Sequence, residues 1–275
     1  MNKKPLVSVV MSVFNDDKYV RRAIESILNQ SLKNIEFIII NDASKDNSLE
    51  TIRSYVRKDK RIKLINNTHE LRLAPSLNLG VSHAKADLIA RMDPDDISLP
   101  ERLEIQYNYL INYPNIAVVG TNLSIIDETK KEIWVRDYPT RSQDLKKVML
   151  RYAPFAHPSV MFRKKVFEEF GGYDPKMKLC EDTDFWIKIG TKYDFGNIPK
   201  RLVQYTLSEK SGTHRNIRQT ELLGFRIRIN AVMKYGYKPS LYDIFYNLLQ
   251  FITLWIMPTG FRIRLYNEVR SRGLI

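Results

Sequence analysis

The chain has 275 residues, 44% hydrophobic and 27% charged, which suits one large α/β domain with a smaller appendage and excludes a disordered tail protein. Its formal net charge of +13 asks for an anionic partner: nucleic acid, an anionic membrane face or phosphorylated substrates. A single cysteine, Cys180, excludes an internal disulfide framework and suits a reducing compartment, the cytosol or the cytosolic face of a membrane.

Two lysines and an apolar run open the sequence, but Ser8 and Ser12 interrupt the run and no small-residue cleavage site follows. Leu6 to Val13 therefore reads as a buried first strand rather than a signal peptide. A helix follows, with Val20, Ala23, Ile24, Ile27 and Leu28 at helical spacing and Asp16 or Asp17 as its cap. Ile35 to Ile40 is the second strand, and Asp46 to Ser48 offers caps for a helix carrying Leu49, Ile52, Tyr55 and Val56. Arg61 to Ile65 is the third strand; Pro75 falls in the first turn of the next helix, whose Leu77, Val81 and Ala84 face inward. Leu88 to Met92 is the fourth strand, and Pro100 opens a helix with Leu103, Tyr107, Leu110 and Ile111. This alternation predicts a mostly parallel sheet with right-handed crossovers.

Beyond Asn115 the pattern loosens. Ile116 to Ile126 and Glu132 to Val135 read as a hairpin, and Ser142 to Arg151 and Lys164 to Phe170 as helices, the second ending at Gly171. Asp182 to Lys192 is helical, Asp194 to Leu207 holds two short strands, and the polar segment Ser208 to Arg215 is a loop. Helices return from Asn216. No run of 18 apolar residues is present. The reading is one α/β domain over 1–215, whose regular strand–helix alternation ends at about residue 115, and a helical, basic and aromatic tail over 216–275.

Ligands of open parallel sheets bind beyond the carboxyl ends of the strands. There the sequence collects Phe14-Asn-Asp-Asp17, Asn41-Asp-Ala-Ser44 and Asp93-Pro-Asp-Asp96. The first turn has no glycine, so the dinucleotide-binding fingerprint is absent, as is a phosphate-binding P-loop. Acids repel a phosphate but hold a divalent cation that in turn holds a diphosphate, and hard oxygen ligands favour Mg²⁺ or Mn²⁺. Each group also has an ordinary reading: Asp93 to Asp96 as turn acids before a helix, Asp42 as a turn residue, Phe14 as core. Three such groups at three strand ends favour a nucleotide pocket.

The segments Val7-Ser-Val-Val-Met-Ser-Val-Phe-Asn15, Ile40-Asn-Asp-Ala-Ser44, Ala90-Arg-Met-Asp-Pro-Asp-Asp96 and Glu181-Asp182 resemble family 2 glycosyltransferases of the GT-A fold, an α/β fold with a mostly parallel sheet. Ser76-Leu-Asn78, Pro100-Glu-Arg-Leu103 and His157-Pro-Ser159 agree, so the resemblance spans roughly residues 5 to 215. It implies that 1–215 is a catalytic domain, nucleotide-binding to about residue 115 and acceptor-side over about 116–215. It implies that Phe14 lies against the base, that Asp42 accepts a hydrogen bond from it (which favours uridine), and that Ser12 is near the nucleoside or is a buried strand serine. It further implies that Asp93 approaches the ribose or sugar and that Asp95 ligates the metal, with Asp96 assisting. Asp182 matches the family's base and Glu181 stands beside it, an arrangement that inverts the anomeric centre. Read without the resemblance, Glu181 to Asp184 is a helix start decorated with acids, as the macrodipole favours.

His157 lines the acceptor side or caps a turn. In the loop, Lys210, His214 and Arg215 either close on the donor diphosphate or form a solvated basic segment. From Asp243 to Met257, Ile244, Leu248, Ile252, Trp255 and Ile256 form an apolar stripe followed by Arg262, Arg264, Arg270 and Arg272. The stripe reads as a helix lying in a membrane interface, with the arginines on anionic headgroups, or as a helix packed on the catalytic domain or a second subunit. The resemblance adds a nucleotide-sugar donor and a glycan or polyprenyl-diphosphate-linked acceptor in surface polysaccharide synthesis. Two rivals stand beside it. A nucleotidyltransferase would need a glycine-rich basic loop after the first strand, and a nucleic-acid-binding protein would need a recognition motif; neither is found.

Overall fold

A computed structural model describes residues 4–207 and 217–273. Nine strands form one sheet: β1 (Val7–Val13), β2 (Ile35–Asn41), β3 (Ile62–Asn66), β4 (Leu88–Met92), β5 (Ile97–Ser98), β6 (Ile116–Ile126), β7 (Glu132–Arg136), β8 (Met161–Arg163) and β9 (Asp194–Thr206). Their order is β3-β2-β1-β4-β8-β6-β9-β5, with β7 paired to β6 off this path. The first four run parallel, β8 is antiparallel to both β4 and β6, and β9 runs parallel to β6.

All seven positions of β1 and of β2 are buried, so both sheet faces are covered. Alternate residues serve opposite layers. Val10, Ile38 and Ile40 join one core cluster, while Val9, Met11, Phe37 and Ile39 join the other. Helix α3 (Leu73–Ser82) comes so close to the first layer that a Cβ at Gly80 would stand 2.5 Å from Val10 Cγ1 and 2.6 Å from Ile40 Cδ1. Glycine is required there by proximity.

Helices α1 (Val20–Leu28), α2 (Ser48–Val56), α4 (Arg102–Asn112), α5 (Ser142–Val148), α6 (Lys164–Glu169) and α7 (Glu181–Gly190) complete the first 207 residues. Arg102, fully buried, donates from Nη2 to the Arg91 carbonyl at 2.8 Å, and Gln106 donates to the carbonyls of Val119 and Ser159. Helix α4 thus ties together three chain segments, at Arg91 of β4, Val119 of β6 and Ser159.

Two expectations are corrected. The α1 start is closed by the Asp16 backbone carbonyl, which accepts from Tyr19 and Val20, and neither Asp16 nor Asp17 caps it through a side chain. Asp194 to Leu207 holds one long strand rather than two: Pro199 and Lys200 bulge out between Ile198 and Arg201, which pair with the consecutive residues Thr121 and Asn122.

Three helices follow: α8 (Ile217–Tyr235), α9 (Leu241–Ile256) and α10 (Thr259–Ser271). They pack on the catalytic part. Asp243 pairs with Arg151 at 3.0 Å, Trp134 donates to Glu268, and Ser271 Oγ bonds both the backbone N–H and carbonyl of Val135. Arg262 and Arg270 are buried by this packing, so of the four arginines that follow the apolar stripe only Arg264 and Arg272 are exposed. No helix among the described residues is long and apolar enough to cross a membrane.

Candidate active site

The carboxyl ends of β1, β2 and β4 open into a cleft of about 920 Å³ lined by Ser12, Phe14, Asp42, Asp93, Asp95, Glu181 and Asp182. Seven of the nine residues singled out for donor and catalysis therefore share one cavity. His214 and Arg215, with Lys210, lie outside the described residues.

Backbone geometry at the rim is unusual. Asn15, Ala43, Arg72 and Cys180 all have positive φ, a conformation that side chains resist and that clusters at functional sites. The first two follow β1 and β2, and their turns are tied together: Asn15 N–H donates to Ser44 Oγ at 3.1 Å and Lys45 N–H to Asn15 Oδ1 at 2.8 Å. Phe14 is left 40% exposed over this platform, a ring without an apolar cover. Asp42 is buried and accepts from Asn67 Nδ2 at 2.8 Å and from the Leu71 and Arg72 N–H groups at 2.9 and 2.8 Å. It acts as a turn anchor and also faces the cleft.

Asp93, Asp95 and Asp96 each bring a carboxylate oxygen within 4.8 Å of the others. Burial, with Asp93 and Asp16 close by, pushes the Asp95 carboxyl up to about 7. Burial and the neighbouring Asp95 and Asp93 raise Asp96 well above the usual carboxylate range. Repulsion of this kind is what a bound cation relieves, so the donor set fits a divalent metal. Asp96 itself is fully buried, accepts from the Thr206 N–H at 2.8 Å and does not line the cleft. The Asp95 carbonyl accepts from Arg22 at 2.6 Å and Thr206 Oγ1 at 2.5 Å, which fixes the loop from behind.

Across the cleft, α7 starts at Cys180, whose left-handed backbone turns Glu181 and Asp182 inward. Burial and the adjacent Asp182 raise Glu181 to about 7, and burial raises Asp182. Asp182 Oδ1 accepts from the Thr183 N–H at 2.7 Å. His157 opens a 3₁₀ turn (His157–Ser159) with Nε2 2.9 Å from Tyr173 Oη and Nδ1 3.6 Å from Glu181. Burial, aided by the charge of Arg91, holds its imidazole well below the ordinary value, so it stays neutral.

Sequence reasoning gave no role to Arg91, which is buried at the end of β4 and paired with Asp93. The signal was present: an arginine in a strand whose five positions are all buried needs an anionic partner. Arg136, Tyr205, Tyr266 and Arg270 also line the cleft and were missed, because only tertiary packing brings them there.

The family model "Glycosyl transferase family 2" matches residues 8–171. An uncharacterized glycosyltransferase of Methanocaldococcus jannaschii is 32% identical, covering 98% of this chain and 95% of its own length. The O-antigen biosynthesis glycosyltransferase WbnJ of Escherichia coli is 34% identical over 81% of this chain and 88% of its own. Among solved structures, S. aureus TarS 1–349 in complex with UDP superposes with a TM-score of 0.67 at 14% identity, covering 88% of this chain and 69% of TarS. The mannosyltransferase PcManGT of Pyrobaculum calidifontis, in complex with GDP-Man and Mn²⁺, gives 0.60 at 15% identity over 98% and 85%. The fold is GT-A, and on the family match and these sequence relatives the chain belongs to glycosyl transferase family 2.

Proposed function

We propose that the chain is an inverting glycosyltransferase that moves a sugar from a UDP-sugar to a hydroxyl of a glycan or lipid-linked glycan acceptor, with Mn²⁺ or Mg²⁺ as cofactor. The observation that carries this reading is the sharing of one cleft by the Asp93–Asp95 pair and the Glu181–Asp182 pair. TarS with UDP and PcManGT with GDP-Man and Mn²⁺ support a nucleotide donor and a divalent ion.

Phe14 offers its exposed ring to the base, and Asp42, held rigid by three hydrogen bonds, presents its remaining lone pairs beside it. Asp95, with Asp93, would hold the cation, which supplies Lewis acidity to the departing diphosphate. Thr183 occupies Asp182 Oδ1, which leaves Oδ2 to accept the proton of the attacking hydroxyl. Burial raises the proton affinity of that carboxylate above the ordinary aspartate value, which strengthens it as a base. In-line attack from this wall on a sugar held at the opposite acids inverts the anomeric centre.

The tail supports attachment to the cytoplasmic face of a membrane. Helix α9 exposes Leu241, Ile244, Phe245, Leu248, Trp255 and Ile256, and α8 and α10 expose Arg226, Lys234 and Arg264 nearby in sequence. Arg218 stands 5.9 Å from the Trp255 ring, which adds a basic group beside the exposed aromatic residues of α9.

A thermal-shift and hydrolysis panel of nucleotide sugars, with and without Mn²⁺, tests the donor and the metal together. Stabilisation and turnover by a UDP-sugar only with metal is expected. A response to no nucleotide sugar, or one indifferent to metal, defeats the reading.

A further inference from the structure

Two motifs, Ser76-Leu-Asn78 and His157-Pro-Ser159, are joined to Glu181 by one chain of contacts. Asn78, on α3, grips the backbone of Tyr173 twice: its Nδ2 donates to the Tyr173 carbonyl at 2.8 Å, and its Oδ1 accepts from the Tyr173 N–H at 3.0 Å. The approach is so close that a Cβ at Gly172, where φ is +73°, would stand 2.8 Å from Asn78 Oδ1. Tyr173 is thereby fixed in the core, 1% exposed, with its hydroxyl 2.9 Å from His157 Nε2. The His157 ring stands edge-on to the rings of Tyr173 and Trp186, at centroid distances of 5.2 and 6.3 Å, which hold its plane. Its Nδ1 faces Glu181 Oε1 at 3.6 Å, and both side chains are less than a tenth exposed.

These contacts fix the tautomer. Among the described residues His157 is the only hydrogen-bond partner of the Tyr173 hydroxyl. Were the imidazole proton on Nε2, the buried Tyr173 O–H would be left with no acceptor, a costly state away from water. With the hydroxyl donating to Nε2 instead, a neutral ring carries its proton on Nδ1, and that N–H faces the Glu181 carboxylate. We propose that Asn78, Tyr173 and His157 are positioning residues for the transfer: they present the Nδ1–H of a neutral His157 to Glu181 and so hold that carboxylate beside Asp182. This rests on the reading of Glu181 and Asp182 as the catalytic acids. Held by Oε1, Glu181 keeps Oε2 for the acceptor hydroxyl, which it turns towards Asp182. The 3.6 Å contact shortens to a hydrogen bond when the acceptor docks, as contacts of catalytic groups do on substrate binding. No proton leaves the ring, so His157 orients and does not relay.

The first test is a nitrogen-15 NMR spectrum of the unsubstituted protein with labelled histidine, His157 being assigned by its through-space contacts to the Tyr173 and Trp186 rings. A neutral Nδ1–H tautomer is expected at pH 7; an Nε2–H tautomer or an imidazolium would overturn the proposal. The second compares two variants. His157→Asn keeps a donor at the Nδ1 position, whereas His157→Gln keeps only a partner for Tyr173 at the Nε2 position. His157→Gln should lower kcat about tenfold or more, with the KM for the UDP-sugar and the melting gain from UDP and Mn²⁺ unchanged, and His157→Asn should recover most of the loss. Equal kcat in the two variants, whatever their melting temperatures, would mark a merely structural role and overturn the proposal. If neither variant folds, the tautomer decides. Failure of the acid-pair reading shows separately, as parental transfer by Asp182→Asn, whereas an Nε2–H tautomer with Asp182 still essential removes the positioning chain alone.

Discussion

Replacing Asp95 with asparagine should make the metal-free protein more stable at pH 8 while abolishing its response to metal. The Asp95 carboxyl is pushed from an ordinary 3.8 up to about 7, first by burial and then by Asp93 and Asp16. Between about pH 4 and pH 7 the folded metal-free chain keeps a proton that the unfolded chain has released, so stability falls as pH rises through that window. At 1.36 kcal/mol per tenfold in proton affinity the full penalty is about 4 kcal/mol; the side chain keeps some solvent contact, so about 2 kcal/mol is the working figure. Asparagine removes the penalty and keeps the shape. In a protein of this size that is roughly 4–8 °C in melting temperature. Thermal unfolding at pH 4.5 and pH 8, in EDTA and in Mn²⁺, measures it. The variant should match the parent at the lower pH and exceed it at pH 8 in EDTA, and only the parent should gain from Mn²⁺. A variant that melts at or below the parent in EDTA at pH 8, or that keeps its Mn²⁺ response, refutes the reasoning.

Asp182→Asn should lower kcat by about 10²–10⁴ while UDP and Mn²⁺ still raise the melting temperature, and transfer at the parental rate would show that the base is elsewhere. Gly80→Ala should cost about 1–3 kcal/mol, because the new methyl meets Val10 and Ile40 inside a packed core; chemical denaturation checks it, and an unchanged midpoint would mean that α3 can shift freely. The double substitution Phe245→Glu, Trp255→Glu should weaken partitioning onto anionic vesicles at least tenfold without lowering the melting temperature, since both side chains are more than half exposed. Equal partitioning of variant and parent would remove the membrane proposal.

Much of the nucleotide half was legible because buried parallel strands write themselves as continuous apolar runs: β1, β2 and β4 were found to within a residue or two. The long β9 was not, because Pro199 and Lys200 look like a turn locally, and only pairing with β6 keeps the chain extended across them. Tail helices were anticipated, yet their arginines were misjudged. Spacing on one helix cannot show that Arg262 meets Glu221 at 3.3 Å or that Arg270 meets Tyr138 and Tyr152. The acids at the strand tips were readable from their positions in the motif. Arg136 and Arg270 of the same cleft were hidden because they are 134 residues apart in the sequence.

Ser271 has a further consequence. Strand β7 pairs with β6 along one side only, and on the other side its Val135 amide and carbonyl are both taken by a single serine hydroxyl from α10. That hydroxyl stands in for the strand that would otherwise extend the sheet, and it denies foreign chains a template. Proteins trimmed before this helix should therefore self-associate through β7 in solution, turning a monomer-size problem into an aggregation one, with the loss of solubility preceding any loss of secondary structure.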